Sequence, residues 1–227
     1  MSVKLDFSVL LRDEYPAWLL KGLVTMFELT ALAWVLAMVV GIVAIGSEYR
    51  YGTVVSSYLA TPRRLRMLLG KATALLIFGV LYGITSVAAG MLVAAPFVLA
   101  HNGSLLLNQP ETWRSIILGV CSIALWTMIG MGIGILIKNM LVALLVGFIL
   151  GFLVEPIVSV VFFVKRWDQL LNLMPTGATN AMLQITSPVL FAAQHPTPWW
   201  LAGLILATWC LLPVLAGMLS AVRRDVA

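Results

Sequence analysis

Five apolar runs, each long enough to cross a bilayer as a helix, divide this chain: 18–46, 72–100, 115–137, 141–164 and 198–221. A helix of about twenty apolar residues spans the hydrocarbon core. In lipid every backbone N–H and C=O must find its partner within the segment, so such runs are helices. The alternating pattern of a membrane β-barrel does not recur along the sequence. The sequence therefore predicts an all-α, polytopic membrane protein with five transmembrane helices, forming one transmembrane domain over residues 1–227. Composition agrees: 62% of the residues are hydrophobic and 10% are charged. A soluble domain is roughly half apolar and a quarter charged.

The charges orient the chain. Between the first two runs, residues 47–71 read SEYRYGTVVSSYLATPRRLRMLLGK and set Arg50, Arg63, Arg64, Arg66 and Lys71 against Glu48 alone. Short loops rich in Lys and Arg stay on the cytoplasmic side. With this loop inside, the N-terminus lies outside and the C-terminus is cytoplasmic. Lys138, Arg223 and Arg224 then join the inner cations. Lys4, Arg12, Lys21, Arg114, Lys165 and Arg166 fall near outer ends, accompanied by Asp6, Asp13, Glu14, Glu111 and Asp168. The net charge of +5 points to anionic headgroups of the lipid bilayer, the usual partner of basic residues beside spans. No nucleic-acid partner is expected. The mixed-charge start and the length of the first apolar run also argue against a cleavable signal peptide.

The segments between the runs carry local signals. Residues 101–113 form a loop marked by Asn, Gly and Pro. The outer segment 165–197 interleaves leucines with polar residues and Pro175, Pro188 and Pro196. It is too broken for a further span and predicts short amphipathic or re-entrant helices. Trp113, Trp167, Trp199 and Trp200 fall where outer interfacial aromatics belong. In the basic island, Ser47 is placed to cap a short helix whose first turn holds Glu48. Gly52-Thr53 would end or kink that helix, and Tyr49, Tyr51 and Tyr58 give it an amphipathic surface. Thr61-Pro62 reads as a second helix start. Two short helices would make a platform for a soluble partner; a solvated basic loop that only sets topology is the alternative.

Two acids lie at membrane depth, where ionisable groups are functional candidates. Glu28 is some ten residues into the first run, with Lys21 and Thr25 as candidate partners. Glu155 precedes Pro156, which breaks a helix by removing a donor; the pair either lines a substrate path or caps a re-entrant turn. Gly130, Gly132, Gly134, Gly147 and Gly151 include two GxxxG spacings, Gly130–Gly134 and Gly147–Gly151, which let helices approach closely. Cys121 and Cys210 read as small apolar residues within their runs. His101 and His195 stand alone, so no metal site is expected. No residue is read as catalytic, and no cofactor is implied.

The string SEYRYGTVVSSYLATPRRLRMLLGK resembles the cytoplasmic coupling segment of ABC-2-type transporter permeases, the membrane subunits of bacterial ABC exporters. That family's pattern is an E-Y-R-x-G-T helix, then L-x-T-P-R-R and a Lys opening the next span. Downstream, GMGIGILIKNMLVAL (130–144), VEP (154–156) and LMPTGATNAM (173–182) are similar to its glycine-rich span, its Glu-Pro helix end and its outer P-x-G-A segment. The resemblance covers about residues 42–227. It implies a multi-pass permease of the bacterial inner membrane that pairs with a second permease copy and with ABC ATPase subunits to export a substrate. Residues 47–59 would be the coupling helix, with Glu48, Tyr49, Arg50, Tyr51, Gly52 and Thr53 at the ATPase contact. Hydrolysis would fall to the partner, since Gly70-Lys71-Ala72 lacks the rest of a phosphate-binding loop.

The first forty residues carry a different likeness. YPAWLLKGLVTMFELTALAWVLAMVVGI (15–42) resembles the opening span of polar amino-acid ABC importer permeases. The exporter family places six spans where this chain has five, so the chain is either a hybrid or has lost a first exporter helix. An importer permease for polar amino acids is the alternative function, although the loop by which that class holds its ATPase is absent. A membrane interaction or immunity protein without transport is the other.

Overall fold

The computed structural model describes residues 15–53, 64–100, 108–165, 167–184 and 197–223. Helix α1 runs Tyr15–Tyr51, α2 Arg64–Ala100 and α3 Pro110–Leu136. Then come α4 (Met140–Ile149), one π turn (Leu150–Val154) and α5 (Glu155–Val164). The short α6 (Asp168–Leu171) and α7 (Pro175–Leu183) precede α8 (Trp199–Arg223). The described residues hold helices and no strand.

The chain divides into two compact units, Met1–Ala33 and Trp34–Ala227. The first is helical from Tyr15 onward. Everything that follows concerns the second.

Among the described residues, four helical stretches are long and apolar enough to cross a membrane: Ala33–Tyr51, Arg66–Leu92, Pro110–Leu136 and Trp199–Gly217. They give the chain the build of a helical membrane protein. The fourth apolar run departs from a single continuous α-helix. Pro156 has no N–H to give to the residue 152 carbonyl, and its ring crowds that carbonyl. The chain widens by one π turn just before it, with the Glu155 N–H reaching back to the Leu150 carbonyl. Insertions of this kind are among the few things that bend a helix sharply.

α3 is the central helix. From Ser122 to Ile135 every residue except Leu125 is buried, because neighbours cover it on several sides. Glycines set those contacts. A side chain on Gly130 would begin 2.0 Å from the Met38 carbonyl oxygen of α1, and one on Gly41 would begin 2.0 Å from that of Thr127. The two backbones touch. On another side, Gly79 of α2 faces Ala124, and Gly83 faces Val120. On a third, Pro213 of α8 fills the space left open at Gly132. Lipid offers little hydrophobic drive between helices, so close backbone approach is what holds such a bundle. The outer faces of α2 and α8 keep Ile77, Leu81, Leu204 and Leu212 exposed, as lipid-facing helices do.

Two local expectations need correction. Residues 110–113, placed in a loop from the sequence, are the first turn of α3, because Pro110 sits at its opening position and Glu111 in its first turn. Ser47 does not cap a separate helix. It lies inside α1, and its hydroxyl donates to the Ala44 carbonyl at 3.3 Å. The short helices expected within 165–197 are present as α6 and α7, while residues 185–196 lie outside the described residues.

Candidate functional site

The E-Y-R-Y-G-T motif straddles the end of α1, with Glu48, Tyr49, Arg50 and Tyr51 in its last turn. Gly52 stops it. At φ +69° it adopts the left-handed conformation that commonly terminates helices and that glycine takes without strain. The motif residues then divide by direction. Tyr49 turns inward and packs against the apolar core. Arg50, Tyr51, Gly52 and Thr53 are exposed, Tyr51 at 73%. The Arg50 guanidinium lies 5.9 Å from the centre of the Tyr51 ring, an exposed cation–π contact worth roughly 0.5–1 kcal/mol. Arg50 also sits at the negative end of the helix dipole.

Glu48 takes a third direction. Its carboxylate pairs with the ammonium group of Lys71, on the second turn of α2. The side chains are 26% and 21% exposed, so water screens this pair less than a fully exposed one. Of the remaining island residues, Arg66 is exposed on α2. Tyr58, Thr61, Pro62 and Arg63 lie outside the described residues, as does the side chain of Arg64.

A second polar cluster lies within the bundle. Glu155, 7% exposed, accepts a hydrogen bond from the backbone N–H of Thr176. Thr176 is in the first turn of α7, whose own N-cap residue, Met174, supplies no side-chain bond. Glu155 therefore caps α7 from a different helix. The P-T-G-A-T string explains itself residue by residue. Pro175 opens the helix and Thr176 offers its N–H. Gly177 lets the backbone pass where a side chain would begin 1.9 Å from the Leu171 carbonyl oxygen. Ala178 is fully buried. The Thr179 hydroxyl donates to the Pro175 carbonyl at 2.8 Å and accepts from Trp126 Nε1 at 3.1 Å. Trp126 in turn stacks on Trp34 of α1, with ring centres 6.1 Å apart and planes within 3°.

Of the five glycines singled out in the sequence, Gly132 faces α8 and the other four face α1. Gly130 meets Met38, and a side chain on Gly134 would begin 3.2 Å from Ile45 Cβ. Gly147 faces the Ile42 Cδ1 atom, and Gly151 faces Met38 Cε at 3.7 Å. The side chain of Glu28 lies outside the described residues, as do His101 and His195. Cys121 and Cys210 are free thiols.

No family model matches this chain, and neither a curated protein nor a solved structure matches it. The geometry above is what bears on function. Two groups of residues escaped the sequence. Trp34, Trp126 and Thr179 carry no motif of their own, and Trp and Thr within apolar runs look like ordinary packing. Lys71 was counted as an orienting cation; its pairing with Glu48 was visible only as two opposite charges at facing ends of neighbouring runs.

Proposed function

We propose that this chain is the permease subunit of an ABC-2-type exporter, driven by a separate ATPase that docks on the end of α1. One observation carries the proposal. A membrane-spanning helix ends in an exposed Arg50-Tyr51-Gly52-Thr53 tip while the acid of the same motif is turned back onto the next helix. A tip of this kind offers a partner a cation, an aromatic face and a glycine turn on a stiff mount.

In this proposal the protein is a multi-pass subunit of the bacterial inner membrane, with its N-terminus outside and its C-terminus in the cytoplasm. Met140–Val164, helical throughout but for its π turn, serves as the fifth span. At 1.5 Å per residue its length is about 37 Å, enough for a core of about 30 Å. Two permease copies sit above two ATPase subunits. Closure of the ATPases on ATP pushes the tip of α1, tilts α1 and α2, and opens a path where the permeases meet. Such coupling works only if ATP binding favours one of two permease states over the other. No bond of the cargo changes, and no residue of this chain is catalytic.

Benzoylphenylalanine at Tyr51 tests the proposal in native membranes. The expected product is a cross-link to a protein that photolabels with azido-ATP and carries a Walker motif. A correctly inserted permease that captures no ATP-binding protein, with or without nucleotide, defeats it.

A further inference from the structure

Glu48 and Lys71, 23 positions apart in sequence, tie the last turn of α1 to the second turn of α2. Both side chains are about three-quarters shielded. An ion pair in that setting is lopsided: taking away one partner strands the other charge in poorly hydrated surroundings. The neighbouring contacts of α2 with α3, at Gly79 and Gly83, lie about 12 and 18 Å further along the helix. Nearer the foot, Leu68 and Ala72 on either side of Lys71 are buried in the apolar core, so the ion pair adds a polar tie between α1 and α2 to a foot that is already packed.

We propose that Glu48 is a positioning residue whose pair with Lys71 braces the foot of α1 against the foot of α2. A push received at Arg50–Thr53 then moves both helices together. This rests on the exporter reading and alters one part of it: Glu48 acts within the permease and does not touch the ATPase. The direction of the side chains supports this division. Glu48 faces Lys71, whereas Arg50 and Tyr51 face outward on the same turn.

The experiment uses the full chain in native membranes with C121S and C210S replacing the free thiols, and it has two readouts. The first is the yield of the Tyr51 cross-link to the azido-ATP-labelled protein. The second is the maleimide labelling rate of L69C, at an exposed position on the first turns of α2, with and without a non-hydrolysable ATP analogue. In the parent protein the analogue changes that rate by the usual size of an allosteric coupling, about tenfold. E48Q and K71Q are each expected to keep the cross-link and abolish the nucleotide response at L69C. The charge swap E48K/K71E is expected to restore it. A fall in cross-link yield with E48Q that the swap does not recover makes Glu48 an ATPase contact and overturns the brace. A normal L69C response in E48Q overturns it as well. Absence of any cross-link in the parent protein removes the exporter reading itself, and with it the brace as a transmission element. To separate loss of folding from loss of transmission, thermal unfolding of the same set is measured. The swap should unfold nearer the parent than either single variant does, and equal losses in all three again overturn the pair.

Discussion

Glu155 accepts the backbone N–H of Thr176 and so caps a helix to which it does not belong. The acid of α5 supplies what Met174, the residue at the N-cap position of α7, does not. A capping oxygen contributes typically about 1 kcal/mol. Glutamine keeps an acceptor at the same place, whereas alanine removes it. E155A should therefore lower the unfolding temperature in detergent by roughly 2–4 °C per kcal/mol lost, with E155Q closer to the parent. Equal effects of the two substitutions would show that the bond to Thr176 is not what stabilises α7.

The crossing of α1 and α3 predicts a contrast among glycines. At Gly130 a methyl group would begin 2.0 Å from a main-chain oxygen, and neither helix can yield without losing its other contacts. G130A should cost about 3 kcal/mol or more, at the upper end of overpacking. Gly90 of α2 has open space around it, so G90A should be neutral or stabilising by up to about 1 kcal/mol through helix propensity. Thermal unfolding of the two variants side by side checks this, and similar stabilities would contradict the close approach.

Trp126 and Thr179 should behave as a coupled pair. T179V leaves the buried indole N–H without its acceptor, at a cost of roughly 1–3 kcal/mol. W126F/T179V removes both partners and should lose less than the sum of the two single changes. T179S preserves the hydroxyl and should stay near the parent. Strict additivity in the cycle would mean that the 3.1 Å contact contributes nothing.

Orientation can be read directly by labelling. In the C121S/C210S background, a cysteine at Thr53 should react with an impermeant maleimide only after the inner face is opened. Cysteines at Asn108 and Thr197 should react in intact cells. The reverse pattern would place the island outside and end the proposal that a cytoplasmic motor acts on it.

Much of the fold was legible because lipid leaves a chain few options. Four of the apolar runs contain helices long enough to cross, and the turn residues fall near their ends. Pro156 announced a break, yet its form as a π turn depends on how the surrounding helices tolerate an extra residue. Ser47 misled because a serine hydroxyl satisfies a carbonyl three residues back as readily as it caps a helix, and α1 simply continues through it. Among the polar groups the sequence named Glu155 but not Thr176, since their meeting depends on the path folded through α6 and α7. The reach of Trp126 to Thr179, 53 positions away, is likewise a product of tertiary packing and left no local trace.

The contact of Gly41 with Gly130 has a mechanical consequence. Main chain lies directly on main chain there, so any change of angle between α1 and α3 is registered at once by the contacts on either side, at Gly134 and Gly147. In the proposed exporter the crossing would serve as the pivot of α1. Tyr51 lies about 15 Å from it along the helix, so a swing of a few degrees shifts the tip by about 1 Å. In the proposed exporter, a stroke of that size at the tip is what the crossing would pass on to the main chains beside it.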